Sequence, residues 1–265
     1  MPIKEHQKQK LENKEFYGEI VDESYSQHIL SQVYAKSIVF RNVSFKQANL
    51  IGCYFRNCRF INCDFTGASI KESNFRGAAF TNCRFSYTIW EKTFIDEEFL
   101  ESCLPSEENL SRDLVRALRV NFSQIGNYIA VNRAAALEVS LTGSHLYNAA
   151  YSRQAYYRDK YKGLDRLNSA LGHLKWKSLD LLWGNGESLL KVFVSGIALI
   201  LLISFWLHVS IDSPSLVGSM RLSLGIFWGT GVSSVPPVIA VVLTVARYVF
   251  LGLFMAILVK RLSRR

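Results

Sequence analysis

Five cysteines and five histidines are the side chains of this 265-residue chain best suited to metal binding or nucleophilic chemistry, and their spacing argues against both. A zinc site needs ligands clustered as Cys-x-x-Cys or beside histidines. Here Cys53, Cys58, Cys63 and Cys83 are separated by multiples of five, Cys103 stands apart, and His6, His28, His145, His173 and His208 are scattered. No phosphate-cradling Gly-x-x-x-x-Gly-Lys, no His-Glu-x-x-His and no nucleophile elbow occurs. The expectation is a protein that is not an enzyme, with no catalytic residue, no metal and no resident cofactor. One charge stands out: Arg247 interrupts an otherwise apolar run, where a charge is expensive and marks a functional position.

The cysteine spacing belongs to a longer rule. Every fifth residue from Phe40 to Trp90 is large and apolar, and two residues before each comes a small or β-branched one, as at Val43, Cys53, Ala68 and Ser73. A fixed short period means that one small unit is stacked repeatedly. Two inward residues in five leave the others for solvent, and stacked coils pair their backbones roughly 4.8 Å apart. The succession small, polar, Leu or Phe, as in Ala48-Asn49-Leu50 and Cys63-Asp64-Phe65, closely resembles the pentapeptide-repeat family over about residues 36 to 90. The resemblance implies a right-handed quadrilateral β-solenoid with four pentapeptides per coil. Residues twenty apart would then stack, with Phe40, Phe60 and Phe80 in one column and Cys63 over Cys83. The cysteines in the small slot would serve as compact hydrophobes, in a reduced, cytosolic setting.

The net charge is +9. Within the repeats Lys36, Arg41, Lys46, Arg56, Arg59, Lys71, Arg76 and Arg84 face only Asp64 and Glu72. Outward positions of a coil need to be polar, so a solvated face suffices; the sharper reading is an anionic ligand or a protein partner on this basic surface. Some members of the resembled family are thought to imitate DNA with an acidic surface. This chain departs from that pattern, and no nucleic-acid partner is predicted.

Composition changes sharply along the chain and predicts modules: 1–35 an N-terminal cap, 36–90 the solenoid, 91–163 a cytoplasmic helical hairpin or linker, 164–186 a juxtamembrane helix, and 187–265 a membrane unit. Residues Met1 to Glu19 lack the apolar core of a secretory signal, which predicts a cytoplasmic start. Helical spacing from Leu110 predicts a helix stopping near Gly126-Asn127, a second through Ala134 to about Leu141, and a third after Thr142-Gly143-Ser144 that carries Tyr147, Tyr151, Tyr157 and Tyr161. Leu164, Leu167, Leu171 and Leu174, with Lys160, Lys162, Arg166, Lys175, Lys177 and two tryptophans, suit a helix on the inner membrane surface.

Val192 to Ile211 holds no Asp, Glu, Lys or Arg, and twenty helical residues cross about 30 Å, the hydrocarbon core of a bilayer. A second apolar run, Val238 to Val259, is broken only by Arg247 and followed by a basic tail that the positive-inside rule keeps in the cytoplasm. Two spans with both termini cytoplasmic, in the inner or plasma membrane, follow. The segment between them is too long for a minimal turn and too apolar for an exposed loop. A short helix ending at Trp228 and a glycine-containing stretch would dip into the membrane without crossing it, and span, re-entrant loop, span is the order of a channel pore.

Residues Leu189 to Arg265 resemble, in layout and moderately in motif, the two-transmembrane pore-loop family of tetrameric cation channels. Thr230-Gly231-Val232-Ser233-Ser234-Val235-Pro236-Pro237 takes the place of the family's Val-Gly-Tyr-Gly-Asp-x-x-Pro filter, with Ser233 where its second glycine falls; a shift of two residues restores Gly229-Thr230-Gly231. The resemblance implies filter residues Gly229, Thr230, Gly231, Val232 and Ser233, whose carbonyls and Thr230 hydroxyl would replace an ion's hydration shell, and a gating hinge at Gly252. Arg247, about 14 Å into the second span by helix rise, has three open roles: lining the pore and repelling cations, pairing with a carbonyl between subunits, or snorkelling. The resulting expectation is a homotetrameric, potassium-channel-like pore for a monovalent cation such as K+, regulated or localised by the solenoid. The alternative is a membrane-anchored pentapeptide-repeat scaffold without conduction.

Overall fold

The computed structural model describes residues 8–210, 215–230 and 237–263. These fall into two compact units, one reaching Asn148 and one running from Ala149 to Ser263.

The first unit opens with nine three-residue strands: β1 (Lys10–Glu12), β2 (Glu19–Val21), β3 (Ile29–Ser31), β4 (Val39–Arg41), β5 (Asn49–Ile51), β6 (Arg59–Ile61), β7 (Ser69–Lys71), β8 (Ala79–Thr81) and β9 (Ile89–Glu91). Odd-numbered strands form one sheet and even-numbered strands another. All pairs are parallel and, from β2 and β3 on, pair twenty residues apart, as in Phe40↔Phe60 and Leu50↔Ile70. Single bridges join the two remaining faces, Tyr34↔Tyr54↔Asn74↔Phe94 and Ser24↔Ser44↔Asp64↔Arg84. The result is a four-faced parallel solenoid of about four turns.

Each corner is made by the residue two places after the large apolar one, which takes a left-handed backbone. Asn42, Asn57, Asn62 and Asn82 have φ between 52° and 58°, a conformation in which asparagine is much better tolerated than most residues. This turns the chain every five residues and aims both slots inward. The large slot builds continuous ring stacks: Phe40 to Phe60 at 4.9 Å, Phe60 to Phe80 at 5.1 Å, Phe45 to Phe65 at 4.8 Å and Phe65 to Phe85 at 4.9 Å, all within 12° of parallel.

The coils begin at Lys10, inside the stretch expected to be a cap, and continue past Trp90 to Phe94 and Ile95. Ala35 occupies a large slot and interrupts the visible run although it is fully buried. The first coil is also one residue short, Leu11 pairing with Leu30 across nineteen positions, which throws Leu11 and Phe16 out of the five-residue count.

Helices then cover the open end of the stack: α1 (Phe99–Ser102), α2 (Glu108–Gln124) and α3 (Tyr128–Tyr151). Phe99 meets Phe80, Phe85 and Trp90 edge-on. Asn121 of α2, fully buried, accepts from the Thr93 N–H and donates to the Thr93 carbonyl, both at 2.8 Å. It thereby supplies the two hydrogen bonds that a further coil would have made. The same column runs downward, the Ser73 N–H donating to the Thr93 hydroxyl and the Cys53 N–H to the Ser73 hydroxyl. α2 and α3 form the expected hairpin about Gly126-Asn127, tied by Arg116 and Arg119 to Glu138. The expected break at Thr142-Gly143-Ser144 does not occur. α3 passes through it with the Thr142 hydroxyl bonded to the Glu138 carbonyl, since one helical glycine costs only about 1 kcal/mol.

The second unit contains α4 (Ala155–Lys160), α5 (Leu164–Trp183), a 3-10 turn at Gly184–Gly186, α6 (Leu189–Ser210), α7 (Leu216–Trp228) and α8 (Pro237–Leu262). The third helix expected to carry all four tyrosines is split: Tyr147 and Tyr151 close α3, Tyr157 lies in α4, and Tyr161 follows its end. α6 and α8 are long and apolar enough to cross a membrane; at 22 and 26 residues they measure about 33 and 39 Å. Their charged ends meet, Lys260 pairing with Glu187 at 2.5 Å and Arg261 bonding the Glu187 carbonyl, so the two helices run antiparallel.

Candidate functional site

α7 is the element that gives the second unit more than a hairpin. It starts with Ser215, whose hydroxyl accepts from the Gly218 N–H, and it packs against α6 and α8 through Ile226, with Leu207, Ile239 and Leu243. Its 13 residues span about 20 Å. Trp228, at its end, lines a groove of ≈ 570 Å³ with Ile197, Ile200, Arg247, Tyr248 and Phe250. Arg247 lies ten residues after Pro237, about 15 Å along α8. The end of α7 therefore lies level with the middle of both long helices, against which it packs.

The helix ends at Gly229, whose φ of +76° is left-handed and whose N–H bonds the Ile226 carbonyl. A Cβ there would meet the Arg247 guanidinium, which would have to shift. Thr230 closes the last turn twice over, its N–H (2.8 Å) and its hydroxyl (3.1 Å) both donating to the Gly225 carbonyl. Of the expected filter residues, Gly229 is thus brought beside Arg247 and Thr230 caps the end of α7; Gly231, Val232 and Ser233 lie outside the described residues. Arg247 donates to the Tyr248 hydroxyl at 3.0 Å and stands 4.7 Å over its ring. α8 runs unbroken through Gly252, whose Cα faces open space. Sequence reasoning missed Tyr248, which is adjacent to Arg247 in the chain, and the cap made by Thr230.

On the solenoid, three of the eight basic residues are paired, Arg41 with Glu19, Lys46 with Asp64 and Lys71 with Glu91, and Lys92, just past them, pairs with Glu72. Glu19 and Glu91 fall outside the run over which the surface reads as basic. Lys36, Arg56 and Arg76 share one outward column, twenty residues apart and exposed, beside the stacked rings of Tyr34 and Tyr54 at 4.9 Å. Arg76 covers the Phe94 ring at 4.4 Å.

The thiols act as donors, Cys53 to the Leu30 carbonyl, Cys58 to Ala35 and Cys63 to Phe40 from buried positions, and half-buried Cys83 to Phe60. Burial pushes Cys53 up to about 11 and raises Cys58 and Cys103. The hydrogen bond with Cys63, and then burial, hold Cys83 protonated. A thiol-disulfide reagent at pH 8 should leave Cys53 and Cys58 unmodified until denaturant is added. Because the native state binds the Cys53 proton more tightly than the unfolded chain, this contribution to stability is complete below pH 9 and is lost as pH rises from about 9 to about 11. Urea midpoints measured across that window should fall.

Repeat, sheet order and stacked core make residues 10–95 a parallel β-solenoid of pentapeptide repeats, followed by helices of which two could cross a membrane by length and composition. Residues 38–77 and 48–86 match the family described as pentapeptide repeats, in eight copies. No curated protein matches the chain. Among solved structures, a pentapeptide repeat protein from the Arabidopsis thaliana thylakoid lumen is similar at 17% identity and a TM-score of 0.22, over 40% of this chain and 86% of that one. The pentapeptide repeat protein Rfr23 from the cyanobacterium Cyanothece 51142 is similar at 16% identity and a TM-score of 0.21, over 31% of this chain and 60% of that one. QnrB1, a plasmid-mediated fluoroquinolone resistance protein, is similar at 12% identity and a TM-score of 0.15, over 34% and 79%.

Proposed function

We propose that residues 187–265 are the pore-bearing part of a homotetrameric channel for monovalent ions, of the two-span, pore-loop kind, and that the solenoid regulates or localises it from the cytoplasm. The observation that carries this reading is the packing of α7 against both α6 and α8, with its end about 15 Å along α8. A simple tether needs no such element. The long helices leave Phe193, Val194, Ile197, Val241, Val245 and Leu251 exposed, an apolar face that lipid or further copies would cover. Two spans cannot enclose a conduit alone, so oligomerisation follows from geometry. The basic ends of α6 and α8 suit the cytoplasmic side of an inner or plasma membrane. α5, with Leu167, Leu171 and Leu174 exposed among lysines, would lie on that surface and couple the cytoplasmic part to the pore.

The alternative, a membrane-anchored binding scaffold, is favoured by the column of Lys36, Arg56 and Arg76, which would take an anionic ligand or an acidic protein partner. Purified full-length protein in planar bilayers separates the two readings. Discrete conductance steps support the channel; silence from a monodisperse oligomer under varied salts and voltages supports the scaffold.

A further inference from the structure

A fixed positive charge sits where a cation pathway should be most negative. The C-terminal end of a helix offers roughly half a negative elementary charge from its free carbonyls, and a pore helix aimed at the bilayer centre could use it to hold a cation. In α7 that end is already occupied. The Gly225 carbonyl takes two hydrogen bonds from Thr230, the Ile226 carbonyl takes the Gly229 N–H, and the Arg247 guanidinium rests against Gly229. One full positive charge outweighs the half negative one, so the local field is positive.

Among the described residues no acidic side chain pairs with Arg247. From Ser188 to Arg265 the sequence has one acidic side chain, Asp212, against seven Lys and Arg. Lys191 and Lys260 pair with Asp180 and Glu187 at the other end of the long helices. Among the described residues no ion pair includes Arg247 or Arg221, which lies exposed on α7. The partner found for Arg247 is a neutral phenol, Tyr248. Rings of Asp or Glu serve cation pores and rings of Arg or Lys serve anion pores. A fourfold assembly would make Arg247 such a ring.

We infer that the permeant ion is a small monovalent anion such as chloride, and that Arg247 of α8, held against Gly229 at the end of α7, sets that preference. This rests on the channel reading proposed above and replaces the cation that the pore-loop resemblance implies. The test is the reversal potential of the full-length protein in planar bilayers under a tenfold KCl gradient. The expected result is a reversal on the chloride side, with the chloride-to-potassium permeability ratio falling about tenfold in Arg247→Gln and being retained in Arg247→Lys. A wild-type reversal on the potassium side overturns the inference and leaves the channel intact. So does a chloride preference that Arg247→Gln, shown by its elution volume to keep the wild-type oligomer, does not alter. A silent wild-type oligomer overturns the channel reading and the inference with it.

Discussion

Truncating Phe60 to alanine lowers the stability of the solenoid by about 3–5 kcal/mol. Phe60 is 1% exposed. It lies between Phe40 and Phe80, nearly parallel to both, and meets Phe45, Phe55 and Phe65 edge-on. The cost of a truncation depends on how far the site can collapse, and here it cannot. The coil spacing is set by backbone ladders above and below, so the neighbouring rings have no path into the hole. Urea unfolding of the full-length protein in detergent, with hydrogen exchange at the amides of β4, β6 and β8, measures the loss where it arises. A loss under 1 kcal/mol would mean that the rings do not form the stack described.

Replacing Asn121 with leucine costs nearly as much, about 2–5 kcal/mol, for a different reason. Leucine fills similar space but leaves the Thr93 N–H and carbonyl, both inside the core, without partners, and each orphaned group costs about 1–3 kcal/mol. Gln124→Ala is the contrasting variant: Gln124 also caps the last coil, through the Lys92 N–H, but at an exposed position where water takes over. Its expected cost is under about 1 kcal/mol. Because each coil of a solenoid contacts only its neighbours, the Asn121 variant should fray from β9 first. Exchange would then accelerate at β9 and β7 before β4. Equal effects from the two substitutions would show that α2 does not serve as a cap.

The five-residue rule made the four-faced stack legible, together with the Phe40-Phe60-Phe80 column, because each coil demands two inward residues and little else. It lost the first coils where Ala35 fills a large slot and where one residue is missing from the first turn. Asn121 was not legible, since its partner Thr93 lies twenty-eight positions away and the pairing depends on the entry angle of α2. The lengths of α6 and α8 follow directly from their apolar runs. Arg247 stood out as costly, but its three roles stayed open: its place at the end of α7 depends on how α7 packs against the two long helices, an outcome that hydropathy does not encode. The continuous α3 shows the same limit on a smaller scale, local breaking residues being overruled by their neighbours.

The return of α7 into the bilayer is the claim on which pore, oligomer and anion preference all depend, and one depth measurement tests it. All five cysteines lie at or before residue 103, and four are buried with Cys83 half-buried. In a Cys83→Ala background, Leu224→Cys therefore supplies a single reactive thiol on α7. A nitroxide attached there, in the full-length protein in lipid vesicles, should show high collision rates with oxygen and low rates with a water-soluble nickel chelate, as expected within the hydrocarbon region. Collision rates dominated by the chelate, like those of a label in water, would put α7 outside the bilayer and contradict the channel.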